Sequence, residues 1–146
     1  LRACIIKAYL TRNAQKEIIM GLDKENNDIG YRLGRLFAIV DRIQKDAVPG
    51  ANATVRDRFF GAASATPRQI FPVVLKNAQH GLAKIRKEKP GWAINLDKSV
   101  QEIVNGIDPN EGFPATLSLE KQGMFVLGYY QQRQDLYPKK EDKTEE

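Results

Sequence analysis

Residues 54–72 have the sequence TVRDRFFGAASATPRQIFP, and the rest of the chain is organised around them. Within this segment Thr66-Pro67-Arg68-Gln69 predicts a helix N-terminus, because threonine can cap a helix with its hydroxyl and proline suits the first helical position. Gln69, three residues after the cap, can complete a capping box. The small residues 61–65 favour a turn at which two helices, or a backbone and a ligand, approach closely.

The beginning of this segment carries two arginines beside two aromatic residues. Arg56 and Arg58 flank Asp57 and directly precede Phe59 and Phe60. In one interpretation Asp57 forms an ion pair and the phenylalanines join the core. In the other, both guanidinium groups contact phosphates, for which their planar fork is suited.

The window from Thr54 to Lys89 carries the positive charge of the chain. It holds eight basic and two acidic residues, a net charge of +6, whereas the whole chain has a net charge of +5. A basic excess concentrated in this way indicates a polyanionic partner, although it does not say which one.

Length and composition indicate one globular domain. The chain has 146 residues, of which 42% are hydrophobic, and we expect a single domain over residues 1–137 followed by a short, charged, disordered tail over residues 138–146. Cys4 is the one cysteine, which excludes an internal disulfide and fits a reducing cytosol; we expect it in the core. No membrane-length apolar run or signal-peptide pattern is visible, so a cytoplasmic location is expected, with Leu1 or Met20 as the start.

Apolar residues recur at helical spacing along the chain, and no segment alternates as a strand does. The sequence therefore predicts an all-α fold, a compact bundle of about five or six helices. Asp28 and Ser118 are the expected N-caps of two of them. The predicted helices cover residues 2–19, 29–46, 54–61, 67–87, 92–107 and 119–137.

Two of the predicted helices carry basic residues opposite an apolar stripe. Arg35 and Arg42 share a face that we expect to be solvated, with phosphate contact as the alternative. In the helix over residues 67–87, a face with three lysines and no acid lies opposite the apolar arc. Phosphate contact and simple solvation of this face are equally favoured. That basic face comprises Lys76, His80, Lys84 and Lys87. For His80, backbone contact with nucleic acid or simple exposure is preferred over a metal or general-base role.

The last predicted helix has two apolar stripes. We expect the core stripe to be the set Leu119, Val126, Leu127 and Tyr130. The second stripe, which suggests burial on both sides or a protein partner, consists of Phe125, Tyr129 and Leu136. Gly123 and Gly128 would allow another helix to approach closely.

The residue types that catalysis requires are missing. One histidine and one cysteine cannot build a zinc site without carboxylate ligands, and acids are scattered rather than clustered as in a metal-dependent nuclease. Neither a phosphate-cradling glycine loop nor a Gly-x-Ser-x-Gly motif occurs. We therefore expect a protein that is not an enzyme and that needs no metal or other cofactor.

Three segments together resemble a known family. They are YRLGRLFA (31–38), RDRFFGAASATP (56–67) and LSLEKQG (117–123), the last continuing through Phe125, LGYY (127–130) and Gln132-Arg133. They are similar to the C-terminal helical region of the large subunit of the type I-C CRISPR surveillance complex, Cascade. In that family the same region is also made as a separate small subunit, translated from inside the large-subunit gene.

The resemblance implies a non-enzymatic helical bundle that lines the inner face of a filament of backbone subunits on a guide RNA. More than one copy would be present, beside the large subunit, and would help to hold target DNA in the R-loop. Recognition of the PAM, which belongs to the N-terminal part of the large subunit, is not expected of this chain.

Two functions from different classes follow from the sequence. In the first, the chain is a nucleic-acid-binding accessory subunit of an antiviral ribonucleoprotein complex, and its phosphate contacts are Arg35, Arg42, Arg56, Arg58, Lys76, Lys84 and Lys87. In the second, it is a protein-interaction spacer between the large subunit and the backbone subunits, with Phe125, Tyr129 and Leu136 at the interface. A helix-turn-helix repressor is disfavoured, because Pro72 would disturb the base-reading turn.

Overall fold

A computed structural model describes residues 21–138 of the chain. They form five α-helices and no strand, which confirms the predicted all-α fold. The predictions for the helix over residues 2–19, for Cys4, for a start at Met20 and for the charged tail beyond residue 138 lie outside the described residues. The helices are α1 Ile29–Ala47, α2 Val55–Ala65, α3 Pro67–Glu88, α4 Pro90–Asn105 and α5 Leu119–Leu136.

Side-chain caps fix where three of these helices begin. The Asp28 carboxylate accepts a hydrogen bond from the Tyr31 N–H at 3.1 Å, and the Ser118 hydroxyl accepts one from the Lys121 N–H at 3.3 Å, so both predicted caps are confirmed. The third cap, on α2, was not predicted. Thr54 and Asp57 form a reciprocal capping box there, so the Asp57 side chain caps the helix rather than forming an ion pair.

The junction between α2 and α3 differs from the prediction. The small residues 61–65 continue α2 instead of forming a turn. Alanine is the strongest helix former, and no proline interrupts the helical hydrogen bonds within these residues. Thr66 then ends α2 and begins α3 at the same time, as expected for the residue before a proline. Its hydroxyl donates to the Ala62 carbonyl at 3.0 Å, so the predicted side-chain cap and capping box with Gln69 are wrong.

Helix α1 lies at the centre of the bundle and packs against the four other helices. All residues from Leu33 to Val40 are buried, as expected for a helix surrounded by protein. The Phe37 ring is the centre of an aromatic cluster. Its ring centroid lies 5.7 to 6.5 Å from those of Phe60, Phe71, Phe125 and Tyr129, in edge-to-face or tilted arrangements that aromatic pairs favour.

Helices α1 and α5 run parallel and meet almost backbone to backbone. A Cβ atom at Gly34 would lie 2.8 Å from the Tyr129 nitrogen and would overlap the Phe125 carbonyl oxygen, and one at Gly128 would overlap the Tyr31 carbonyl oxygen. Glycine at these positions therefore sets the distance between the two helices. The prediction of a close approach is confirmed for Gly128, whereas no atom of residues 21–138 lies within 4 Å of a Cβ placed at Gly123.

The basic and apolar faces of α3 follow the predicted pattern. Buried side chains line the arc that faces α1, and the helix continues through Pro72, which lies on its exposed side. None of the five described helices combines the length and hydropathy required to cross a membrane.

Candidate nucleic-acid interface

The outer face of α3 carries three lysines and a histidine, and we call it the basic face. Its members are Lys76, His80, Lys84 and Lys87, and all of them are exposed, as the sequence predicted. Within residues 21–138 the structure contains two ion pairs, Arg42–Asp46 and Lys121–Asp28, and neither involves α3. The lysine charges on this face are therefore directed into solvent, where they are available to an anionic partner.

Helix α2 places Arg58 next to the basic face. The Arg58 side chain is exposed, and its guanidinium carbon lies 5.8 Å from the centroid of the Phe59 ring. Arg58 also lines a cleft of about 190 Å³ together with His80 and Lys84, which are more than twenty residues away in the sequence. Packing of α2 against α3 thus brings together two of the predicted phosphate contacts, Arg58 and Lys84.

Arg56 is directed to the other side of α2, where it connects this helix to α5. Its Nη2 donates a hydrogen bond of 2.5 Å to the Tyr130 hydroxyl, and its guanidinium carbon lies 5.4 Å from the centroids of both the Tyr129 and Tyr130 rings. This position makes Arg56 a bridge between helices, and it does not share a surface with Arg58.

Arg35 and Arg42 do not lie on a solvated face, as the sequence had led us to expect, because α5 covers that side of α1. Arg35 is only 7% exposed, and its Nε donates to Gln132 Oε1 at 3.0 Å. Burial lowers the pKa of its guanidinium group below the ordinary value. The Arg35 charge is thus directed into the bundle and away from any polyanion at the surface.

Arg42 is held by α1, α5 and the segment that follows α5. Its Nε pairs with Asp46 Oδ2 at 2.9 Å, its Nη1 donates to the Leu136 carbonyl at 2.8 Å, and its guanidinium carbon lies 4.0 Å from the Tyr137 ring centroid. The indole Nε1 of Trp92 donates to the same Asp46 oxygen at 2.7 Å, so this hydrogen bond connects α4 to α1. These contacts connect α1 and α5 at their C-terminal ends.

The apolar faces of α5 are the reverse of those predicted. Phe125 and Tyr129 are completely buried against α1 and α2, and Leu136 is partly buried, so this stripe belongs to the core of the chain. Leu119 and Tyr130, assigned to the core from the sequence, are 85% and 41% exposed. Both stripes satisfy helical periodicity, and the glycine contact at Gly128 decides between them, because it allows only the Phe125–Tyr129 side to approach α1.

Tyr129 forms a polar contact inside this core. Its hydroxyl donates to Asp41 Oδ2 at 3.3 Å. Burial is the main cause that raises the pKa of Tyr129 to about 12, and the nearby Asp41 carboxylate adds to the shift because a second negative charge beside it is unfavourable.

Three exposed apolar side chains remain on the outer side of α5, and we call them the apolar strip. They are Leu119, Val126 and Tyr130, and their spacing of seven and four residues aligns them along one line of the helix. These three residues were predicted to be part of the core stripe, and that prediction is wrong because they are exposed. The apolar cleft beside Arg58 was not predicted from the sequence. For the strip, the signal was the pattern Phe125, Gly128, Tyr129, Gln132, which marks the opposite face as the packed one.

Carboxylate, histidine and cysteine side chains do not gather at any point of residues 21–138 in a group of three that could hold a metal ion. Basic groups, aromatic rings and apolar side chains dominate the surfaces described above.

The described residues thus form an all-α bundle with an exposed basic face on α3. A comparison with family models is more specific, since residues 1–137 match the model for a CRISPR-associated protein (Cas_Csd1). The chain belongs to this CRISPR-associated family, which confirms the resemblance to a Cascade subunit that the three sequence motifs carried. Family membership implies that it is part of a Cas complex. No curated protein matches the sequence.

Proposed function

We propose that the chain is the non-catalytic small subunit of a type I-C CRISPR RNA-guided surveillance complex, which acts in antiviral defence in the cytoplasm. It lines the complex, next to backbone subunits, the large subunit and further copies of itself. Its task is to stabilise target DNA in the R-loop through contacts with DNA phosphates. The observation that carries this proposal is the unpaired basic face on a member of a CRISPR-associated family.

The electrostatics of the basic face suit this task. Lysine and arginine contacts to phosphate provide affinity that does not depend on sequence, because the released counterions supply most of the free energy. R-loop formation is a nearly balanced exchange of one duplex for another, so a few backbone contacts suffice to shift it. A subunit without catalytic groups can therefore influence how tightly the target is held.

The structure narrows the set of residues that this proposal needs. Arg35, Arg42 and Arg56 are engaged by partners within the chain. The contacts that we propose are four of the exposed cations on α2 and α3, namely Arg58, Lys76, Lys84 and Lys87.

The test is a charge reversal measured in the assembled, guide-loaded complex. The double variant Lys84→Glu and Lys87→Glu should weaken target-DNA binding and make it less dependent on salt. The slope of log affinity against log salt should fall by about 0.7 for each lost contact with single-stranded DNA, or about 0.9 with duplex DNA. Lys98→Glu is the single-substitution control, since Lys98 is exposed on α4 and lies outside the window from Thr54 to Lys89.

Unchanged affinity and slope in a double variant that still assembles would contradict the proposed DNA contacts. An effect of Lys98→Glu about half as large as that of the double variant, in proportion to its charge change of two instead of four, would mean that overall charge, and not the basic face, determines binding. The measurement at two or more salt concentrations is essential, because affinity at one concentration does not separate these cases.

The apolar strip on α5 favours a second candidate function, that of a spacer which connects the large subunit to the backbone subunits with little DNA contact. Contiguous exposed apolar side chains on a monomer often mark a protein interface. Leu119→Ser combined with Val126→Ser should then release the chain from the complex in co-purification. Ile94→Ser, on an exposed isoleucine of α4, is the control and should leave assembly unchanged. Retention of the double variant would count against this function.

A further inference from the structure

We propose that the cleft between α1, α2 and α3 accepts one unstacked base of a single-stranded nucleic acid, while Arg58 and Lys84 at its rim bind the flanking phosphates. This inference rests on the proposed function and deepens it, because it specifies a single strand as the ligand of the basic face.

The cleft combines an apolar floor with a cationic rim. Valine, alanine and phenylalanine side chains from all three helices line the floor, and His80 joins Arg58 and Lys84 at the rim. Among residues 21–138, neither aspartate nor glutamate lines the cleft. Asn77 supplies an amide at the edge, with donor and acceptor groups of the kind that pair with base edges.

The size and charge of the cleft favour a nucleobase over other occupants. Its volume of about 190 Å³ is below the range of about 300 to 1,000 Å³ typical of pockets for drug-sized ligands. A single planar ring system suits a space of that kind. An apolar side chain of a protein partner would fit the floor but would leave the Arg58 and Lys84 charges at the rim without anions.

Phe59 is the surface on which a base would stack. Its ring is partly exposed and lines the cleft, with the Arg58 guanidinium group beside it at 5.8 Å. Aromatic rings and arginine side chains together form the stacking platforms of proteins that bind single strands without sequence preference. In a duplex the bases are paired and stacked, and extruding one costs free energy, so a single strand supplies a base to such a cleft at the lowest cost.

The experiment compares two 15-residue probes that share a phosphate backbone: oligothymidylate and the same strand with abasic residues. Fluorescence anisotropy of each probe with the purified full chain at low salt gives the two affinities. We expect oligothymidylate to bind about tenfold more tightly, the effect of stacking one base on an aromatic ring. A thymidylate–adenylate duplex should lose this advantage.

Filling the cleft tests where the base lies. Asn77→Leu places an aliphatic side chain at the edge of the cleft and removes no charge, so affinity for the abasic strand should stay constant while the tenfold preference disappears. Gln79→Leu is the matched control, since Gln79 is exposed on α3 but does not line the cleft. Circular dichroism of both variants checks that they are folded.

Each other outcome overturns the inference in a distinguishable way. Equal affinity for both probes, with a strong salt dependence, rejects the base site and leaves the proposed phosphate contacts intact. If the chain binds neither probe, the base site is rejected. The isolated chain then also gives no support to the proposed phosphate contacts. If Asn77→Leu keeps the preference but prevents co-purification with the complex, the cleft holds a side chain of a protein partner instead.

Discussion

The contact between α1 and α5 makes Gly34→Ala a sensitive test of the fold. The new Cβ would lie 2.8 Å from the Phe125 carbonyl carbon and the Tyr129 nitrogen, whereas ordinary van der Waals contacts begin at 3.4 Å. Both atoms belong to the backbone of α5 and cannot rotate away. The two helices must therefore separate along the interface that buries Phe125 and Tyr129.

The size of the effect follows from two opposing contributions. Overpacking of this kind costs about 3 kcal/mol at the upper end of its usual range. The helix propensity of alanine over glycine returns about 1 kcal/mol. We thus expect a net loss of about 2 kcal/mol in the free energy of unfolding, which is a large share of the stability of a small domain.

Urea unfolding measures this loss, and Gly123→Ala in α5 is the matched control. A Cβ at Gly123 meets no atom of the described part of the chain within 4 Å, so that substitution should stabilise the protein by up to about 1 kcal/mol. With a typical urea m-value of about 2 kcal/mol/M, the midpoint of Gly34→Ala should fall by about 1 M. A Gly34→Ala protein as stable as the wild type would refute the close parallel packing of α1 and α5.

Three further predictions concern single side chains. Thr54→Ala should lower the free energy of unfolding in urea by about 1 kcal/mol, because it breaks the capping box of α2. Thr66→Ala removes no side-chain cap and should lower it clearly less. Equal losses for the two variants would contradict this assignment of the caps. Burial raises the pKa of Tyr129 to about 12, above its ordinary value of 10, so the folded state holds this proton more tightly than the unfolded state does. The contribution of Tyr129 to the free energy of unfolding should therefore be fully present below pH 10 and should be lost as the pH rises towards 12. In Tyr129→Phe that part of the decline with pH should be absent. Arg35→Met should destabilise the chain by about 1 to 3 kcal/mol by leaving Gln132 without its donor, and it should not alter the salt slope of DNA binding; a reduced slope would assign Arg35 to the DNA interface.

Helix positions could be predicted from the sequence where local signals agree. Asp28 and Ser118 cap helices because their side-chain oxygens reach the backbone N–H groups three residues later, which depends on nothing outside that turn. At Thr66 a local rule failed, because the residue belongs to two helices and its hydroxyl bonds to α2. The cap at Thr54 was overlooked since Asp57 between two arginines suggested an ion pair.

Faces of helices were predictable only where a single arrangement fits. The basic face of α3 was identified correctly, because its lysines exclude burial on that side. On α1 the arginine side looked like a solvated exterior, yet a neighbouring helix covers it and Gln132 supplies the partner for Arg35. No pattern within α1 could show that partner, which comes from a segment almost one hundred residues later.

The sequence by itself determined the helical fold, the surplus of positive charge on α3 and the family, since these depend on local periodicity, residue type and motif. Tertiary structure alone decided which of two apolar stripes on α5 is buried. It also placed Arg58 beside Lys84 at one cleft while turning Arg56 towards α5. The physical reason is that periodicity defines a face only relative to its own helix, whereas burial and shared sites depend on which backbones can approach, and glycines at the α1–α5 contact set that approach.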